Sequence, residues 1–380
     1  MTPLSSGVLR RLYLNICIGA VLFITVLQVA NFKQFSLQSA ERFHRIAGSW
    51  SVPFPRQQPF TPRFNSYGST QCVPPISPEL SKRSFEKHAT CAKYSPFSAP
   101  RHRWATVTAF FGDLEANEHY TKALTTHLEH ALVHGSEVHV LCDKMVDGLW
   151  NKPAFILDIL LKEMLKPESK RLEWLVWVDG DSLILDQCRP ATSFLPSTLL
   201  SNPLSEWQRR DEITSGEETP SPAINLVATH DPNGLNNGIF LLRVSQWAIS
   251  LFTAILAYRH YNPDVGLRFS DQSAMELLLA EDEFKDQVQY VPQHWFNAFP
   301  KGEPQDFLLR NETELEALED MQVRKGDWLV HMAGHHHKDQ ALNGWYDLLE
   351  GMEDVWESGD LQRDLDGEVR RWWEEKGYLW

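Results

Sequence analysis

Five apolar residues, Trp174-Leu175-Val176-Trp177-Val178, run without a polar interruption straight into Asp179-Gly180-Asp181. So short a run with no alternation fits a strand buried on both faces, the kind found inside parallel sheets covered by helices. Two carboxylates directly behind it belong where the strand leaves the core, because unpaired charge inside would be strongly destabilising.

The flanking pattern agrees. "WATVTAFFG" (104–112) and "EVHVLCD" (137–143) read as strands, with helical spacing from His119 to His134 between them and a helix from about Pro153 to Leu165 after them. "INLVATHD" and "NNGIFLLR" follow, then a helix capped by Ser245 with Trp247, Leu251, Ile255 and Leu256 on one face. A helix starting at Ser270, strands "VQYVP" and "DWLVHMA", and an acidic, aromatic, helical tail from Gly351 to Trp380 complete the chain. Alternating strands and helices imply a three-layer α/β domain with a largely parallel sheet. The Pro/Ser/Glu-rich stretch Ser201–Pro222 reads as a surface loop.

Open α/β sheets bind ligands beyond the carboxyl ends of their strands, where Asp179 and Asp181 stand. Residues two apart in extended chain face one side, so both carboxylates can meet one hard cation, and Gly180 permits close approach. The spacing alone is weak evidence. Asp364 and Asp366 repeat it in "RDLDGE", without a preceding apolar strand, and read as a solvated helix face.

The net charge of −14 argues against nucleic acid as a partner. Near the N-terminus, Leu12–Phe32 carries no charge and follows Arg10-Arg11. As a helix it would cross a hydrocarbon core of about 30 Å; a cleaved signal peptide is the rival, but its apolar region would be unusually long and no clear small-x-small site stands just after it. This gives a cytosolic tail (1–11), a transmembrane signal anchor (12–32), a Pro/Ser-rich stem (33–100) and a folded domain (101–380). An extension packed on the domain is the alternative to a stem, since the segment holds aromatics and two cysteines. Lys33, Arg42 and Arg45 offset Arg10 and Arg11, so charge does not orient the span. The sequon Asn311-Glu312-Thr313 is consistent with a lumenal body, with Asn311 as its glycosylation site, although unused sequons are common. Cys17 lies in the span, and Cys72, Cys91, Cys142 and Cys188 allow two disulfides in three pairings.

Four ordered blocks, "EWLVWVDGDSLILD", "HDPNGLNNGIFLLRVSQWA", "DQSAMELLL" and "GDWLVHMAGHH", resemble family 34 of the glycosyltransferases over roughly residues 104 to 346. That family includes fungal Golgi galactosyltransferases, mannosyltransferase subunits of mannan-building complexes and plant xyloglucan xylosyltransferases. The resemblance implies a single-pass type II Golgi membrane enzyme. It further implies a two-lobed nucleotide-sugar transferase fold, GT-A-like with a Rossmann-like mixed sheet, that uses Mn²⁺ and retains anomeric configuration. By position, Asp179 would contact the donor and the metal, Asp181 the metal, and His331 would be the late metal-binding histidine. Asp271 and Gln272 match the catalytic pair beside the transferred sugar, and Asn236, Asn237 and Gly238 match the Asn-x-Gly strand start at the donor. Lys152 matches a Trp-x-Lys position and reads equally as a surface lysine or a donor-phosphate contact. The chain departs from the family at "GHHHKD", where Gly-Cys and a lysine are common, leaving Lys338 as the phosphate candidate. Ile239 replaces a small hydroxyl residue.

Each position also has a plainer account. Asp271 suits the first turn of any helix, His331 could be a satisfied core histidine, and Asn236 and Asn237 could be turn residues. His335, His336 and His337 read as a polar loop. The chemistry favours the family reading: a sugar leaves a dianionic nucleotide, and a Lewis acid on the phosphates stabilises that charge. Two carboxylates and an imidazole suit Mn²⁺ better than Ca²⁺. The expected activity is transfer of galactose or mannose from UDP-galactose or GDP-mannose to a glycan acceptor, with the membrane and other glycosyltransferase subunits as further partners. The rivals are a non-catalytic subunit of a glycosyltransferase complex and a metal-dependent phosphoester hydrolase, the latter disfavoured by the single compact acidic pair.

Overall fold

The computed structural model describes residues 62–97, 102–196, 199 and 224–378. The anchor Leu12–Phe32, Cys17, the first part of the stem and the Ser201–Pro222 insertion lie outside the described residues. Among those described, no helix is long and apolar enough to cross a membrane.

Nine strands are described: β1 (Phe64–Tyr67), β2 (Trp104–Ala109), β3 (Glu137–Leu141), β4 (Trp174–Val178), β5 (Ser182–Ile184), β6 (Leu226–Asp231), β7 (Gly234–Arg243), β8 (Val288–Tyr290) and β9 (Leu329–His331). Seven form one mixed sheet in the order β1-β3-β2-β4-β7-β6-β8. Only β7 runs against the others, being antiparallel to both β4 and β6. β5 and β9 form a separate antiparallel pair.

β4 is the central strand its sequence predicts. Leu175 and Trp177 enter one core cluster, while Trp174, Val176 and Val178 enter another, so both faces are dry and no polar alternation could be tolerated. The first cluster is roofed by the Asn151–Met164 and Gln246–Tyr261 helices through Phe155, Ile159, Leu251 and Ile255. Ser245 caps the second of these by accepting from Ala248 N at 3.2 Å. Leu256, expected on its buried face, is only half-buried, and Phe252 fills that place. The opposite face is covered by the Leu365–Glu375 helix, whose fully buried Trp373 donates its indole N–H to Phe194 O at 2.9 Å.

The stem boundary at residue 100 needs correction. Residues 62–97 pack as the extension alternative had it: β1 pairs parallel with β3, placing Phe64 opposite Val138, and the Pro78–Tyr94 helix lies on the Glu118–His134 helix. Arg83 binds Glu129 at 2.8 Å across that contact. Of the three possible pairings the chain takes Cys72–Cys142 and Cys91–Cys188, closing stretches of 70 and 97 residues. Loops of that length restrict the unfolded chain enough for about 4 kcal/mol per bridge in the chain-entropy account.

The Asp364/Asp366 pair is also not merely solvated. Asp364 caps its helix by accepting from Gly367 N, and Asp366 accepts from the guanidinium of fully buried Arg189 at 2.7 Å. The cause is burial of Arg189, which needs carboxylate partners on the C-terminal helix.

One interior feature has no counterpart in the sequence reading. His127, His130 and His134 on one helix place Nε2 at 3.0, 2.8 and 2.9 Å from the carbonyls of Ser182, Arg189 and Gln187. This row of imidazole donors ties the Glu118–His134 helix to the strand and turn that follow Asp181.

Candidate metal and donor site

The acidic turn is locked from three sides. Asp179 N donates to Gly238 O at 2.8 Å, the Trp177 indole donates to Asp179 Oδ1 at 2.8 Å, and Ser182 Oγ donates to Asp179 O at 2.7 Å. Pairing of β5 with β9 sets Ser182 opposite His331. That register carries the His331 imidazole to the turn, with Nε2 3.4 Å from Asp181 Oδ1. Asp179, Asp181 and His331 thus each offer a ligand atom, all within 4.8 Å of one another. Asp181 and His331 are buried, and Asp179 is partly exposed.

The other side of the imidazole is fixed by a residue the sequence reading missed. His331 Nδ1 lies 2.7 Å from Asn297 Oδ1, so it carries the proton. Asn297, fully buried, donates its amide to Thr229 Oγ1 and Asn236 Oδ1, each at 3.0 Å. "WFNAFP" has no periodicity that marks Asn297. Its only signal is a polar side chain set among aromatics.

Asn236, Asn237 and Gly238 are not turn residues but a bulge inside β7. Val227 pairs with Leu241 and Thr229 with Asn236, so two steps along β6 span five along β7. The irregularity sends neighbouring amides to different partners. Asn236 joins Asn297 and also takes Asp231 through its amide at 2.8 Å. Asn237 Nδ2 instead donates to Asp271 Oδ2 at 3.0 Å, and its backbone N donates to Gln272 Oε1 at 3.2 Å. Gly238 leaves room for the ligands: a Cβ there would lie 2.4 Å from His331 Cε1 and 3.2 Å from Asp179 Oδ2.

Asp271 and Gln272 open the Asp271–Leu279 helix, directly after Ser270, whose φ of 48° makes it the one non-glycine residue with positive φ among those described. Burial raises the Asp271 carboxyl, against the pull of Lys152 and the Asn237 amide. Lys152, in the first turn of its helix, is no free surface lysine. Its Nζ lies 3.0 Å from Asp179 Oδ1, from Asn237 O and from Asn237 Oδ1, and 5.4 Å from the centre of the Trp177 ring. Lys338, the first residue of its helix, pairs with Asp181 Oδ2. Burial opposes ionisation of Asp181, but His331 and Lys338 outweigh it and hold the carboxyl well below the usual range. Burial likewise opposes the Lys338 ammonium, and Asp181 more than restores it.

The group therefore fits a divalent cation of mixed N/O preference: two carboxylates, an imidazole whose Nε2 faces them, and a cradle that a methyl group would fill. His335, His336 and His337 stay exposed in the preceding loop and do not join it. Asn311 is distant in role: exposed, it caps the short Glu312–Glu316 helix through Oδ1.

Comparison with known proteins gives a consistent family. The model of the galactosyl transferase GMA12/MNN10 family matches residues 111–341. The chain is 26% identical over 208 residues to xyloglucan 6-xylosyltransferase 4 of Arabidopsis thaliana, covering 49% of this chain and 36% of that protein. It is 25% identical over 213 residues to the probable alpha-1,2-galactosyltransferase gmh1 of Schizosaccharomyces pombe, covering 53% of this chain and 58% of that protein. Among solved structures, a glycosyltransferase involved in glycosylation of the major capsid of PBCV-1 aligns with a TM-score of 0.43 at 13% identity, over 63% of this chain and 98% of that one.

Proposed function

Because the chain belongs to the galactosyl transferase GMA12/MNN10 family, we propose that it transfers a hexose, galactose or mannose, from a nucleotide sugar to a glycan hydroxyl with retention of anomeric configuration. The observation that carries this reading is the contact between two groups. The metal-type set Asp179, Asp181 and His331 is joined through Asn236, Asn237 and Gly238 to Asp271 and Gln272.

Mn²⁺ held by Asp179, Asp181 and His331 would supply positive charge to the departing diphosphate. Lys152 and Lys338 reach the same carboxylates and bring further positive charge to that side of the site. Asp271 and Gln272, oriented by Asn237, would face the sugar carbon as it gains oxocarbenium character. A carboxylate and an amide oxygen there stabilise positive charge whether attack is direct on one face or passes through a covalent intermediate. Burial of Asp271 keeps water from screening that interaction.

A Golgi membrane enzyme of type II orientation is the location we infer. The uncharged run Leu12–Phe32 supports it, as do two disulfides, which persist in oxidising compartments.

The test is a donor screen. The purified protein is incubated with UDP-galactose, UDP-glucose, UDP-xylose or GDP-mannose, with and without Mn²⁺, and donor hydrolysis is followed. Hydrolysis of one donor that requires the metal is expected. Lack of hydrolysis of every donor, with any glycan acceptor added, sinks the enzymatic reading.

A further inference from the structure

We propose that Lys152 and Lys338 are resident counter-cations of the metal site, each holding one aspartate until the divalent cation arrives and then turning to the donor's diphosphate. This rests on the metal and donor reading above and adds what the lysines do to the cation itself.

The pairing is one to one. Lys338 takes Asp181 Oδ2 while His331 Nε2 faces Oδ1 of the same carboxylate. Lys152 takes Asp179 Oδ1, which also accepts from the Trp177 indole. The Asp181 side chain is only 8% exposed and that of Lys152 12%, so these charges interact through protein more than through water. Each of these two carboxylates is matched by an ammonium, which explains how acidic residues are tolerated behind an apolar strand.

A dication added to these matched pairs leaves positive charge in excess at a largely buried place, even with the Asp271 carboxylate counted. A diphosphate removes the excess and offers the displaced ammoniums a partner. The lysines should therefore weaken binding of the cation alone and strengthen binding of the cation together with a nucleoside diphosphate. The two effects are one coupling free energy, read from either ligand. Both lysines are placed for such an exchange, because each stands in the first turn of a helix at the site's edge.

Lysines that serve only as donor contacts would leave cation affinity in the nucleotide-free protein unaffected by their removal. Calorimetric titration of Mn²⁺ separates the two, using wild type, Lys338→Gln, Lys152→Gln and Lys122→Gln, each without nucleotide and with UDP or GDP. Lys122 bonds Asn343 and Glu118 outside the site and controls for loss of one positive charge. In both site variants Mn²⁺ alone should bind about tenfold more tightly, and the gain on adding nucleotide should fall by a similar factor. Lys122→Gln should match wild type. Circular dichroism checks folding, and Lys338→Gln, the more exposed of the two, decides alone where Lys152→Gln is unfolded. Equal Mn²⁺ affinity in wild type and Lys338→Gln overturns the exchange while leaving the metal site standing. Absence of Mn²⁺ binding in every protein, nucleotide present, overturns the metal reading beneath it.

Discussion

Asn297 holds His331 by a 2.7 Å contact to Nδ1, so the ring is fixed with its other nitrogen, Nε2, facing Asp181. Asn297→Ala removes the group that sets this orientation without touching a ligand. Mn²⁺ affinity should fall by roughly 10- to 100-fold, as for other outer partners of metal-binding histidines. Asn297→Asp, which can still accept from Nδ1, should recover part of it. A titration identical to wild type in the alanine variant would remove His331 from the ligand set.

Gly238→Ala tests the same place by volume. The added methyl would come within 2.4 Å of the imidazole, so His331 must shift. Loss of Mn²⁺ response should exceed loss of thermal stability, because the strand around the bulge keeps its ladder to β4. Retention of full activity would mean the cradle has more freedom than the geometry allows.

Asp181→Ala and Asp366→Ala should fail in different ways. The first deletes a proposed ligand and should abolish transfer while the protein still melts cooperatively. The second leaves buried Arg189 with only Asp186, 3.7 Å away. Its cost should be about 2 kcal/mol, as for a buried charge left partly unpaired. Denaturant unfolding and Mn²⁺-dependent turnover, measured on both, check the contrast. Equal turnover losses would place the cation elsewhere.

Acid should loosen the row of histidines. Burial pushes His127 and His134 down to about 4 and His130 well below the ordinary imidazole value of 6.5. The folded state thus prefers the neutral rings. Their stabilisation is complete above the unfolded value near 6.5 and is lost as pH falls through about 4. For fully buried His127 the change is about 3 kcal/mol, and His134, partly exposed at the helix end, contributes less. His127→Gln keeps a donor for the Ser182 carbonyl but cannot titrate. Melting temperature followed from pH 7 to pH 4 should therefore drop less steeply in the variant. Parallel curves would show that His127 does not drive the loss.

Topology has its own test. Asn311→Gln in the producing cell should remove a glycan-sized mass, since Asn311 is exposed and the cap leaves its amide nitrogen without a hydrogen bond among those described. Protease added to sealed vesicles should spare the body, and digestion of the body would reverse the proposed orientation.

The sequence made the sheet readable wherever one strand had to be dry on both faces, as at Trp174–Val178. It made the acidic turn readable because carboxylates after such a strand need a reason. The family blocks pointed to His331, Asp271 and Asn237, which the fold brings together. Asn297 was invisible because its role depends on β9 of the two-stranded pair meeting the Asn-Asn-Gly bulge of the seven-stranded sheet, a long-range fact with no local period. Residues 62–97 were misread because Pro and Ser hide a four-residue edge strand and one helix, both held by cysteines whose partners lie far along the chain. Asp366 was misread because its partner, Arg189, is 177 positions away.

The two disulfides impose an order on biosynthesis. Cys72 and Cys91 emerge from the ribosome close together, whereas Cys142 and Cys188 follow 70 and 97 residues behind their partners. Both early thiols must stay unpaired, or pair with each other and be reshuffled, until β3 and the segment after the acidic turn have been made. For a lumenal body the yield of active protein should therefore depend on thiol–disulfide isomerase capacity, and a trapped Cys72–Cys91 species is the product to look for when that capacity is short.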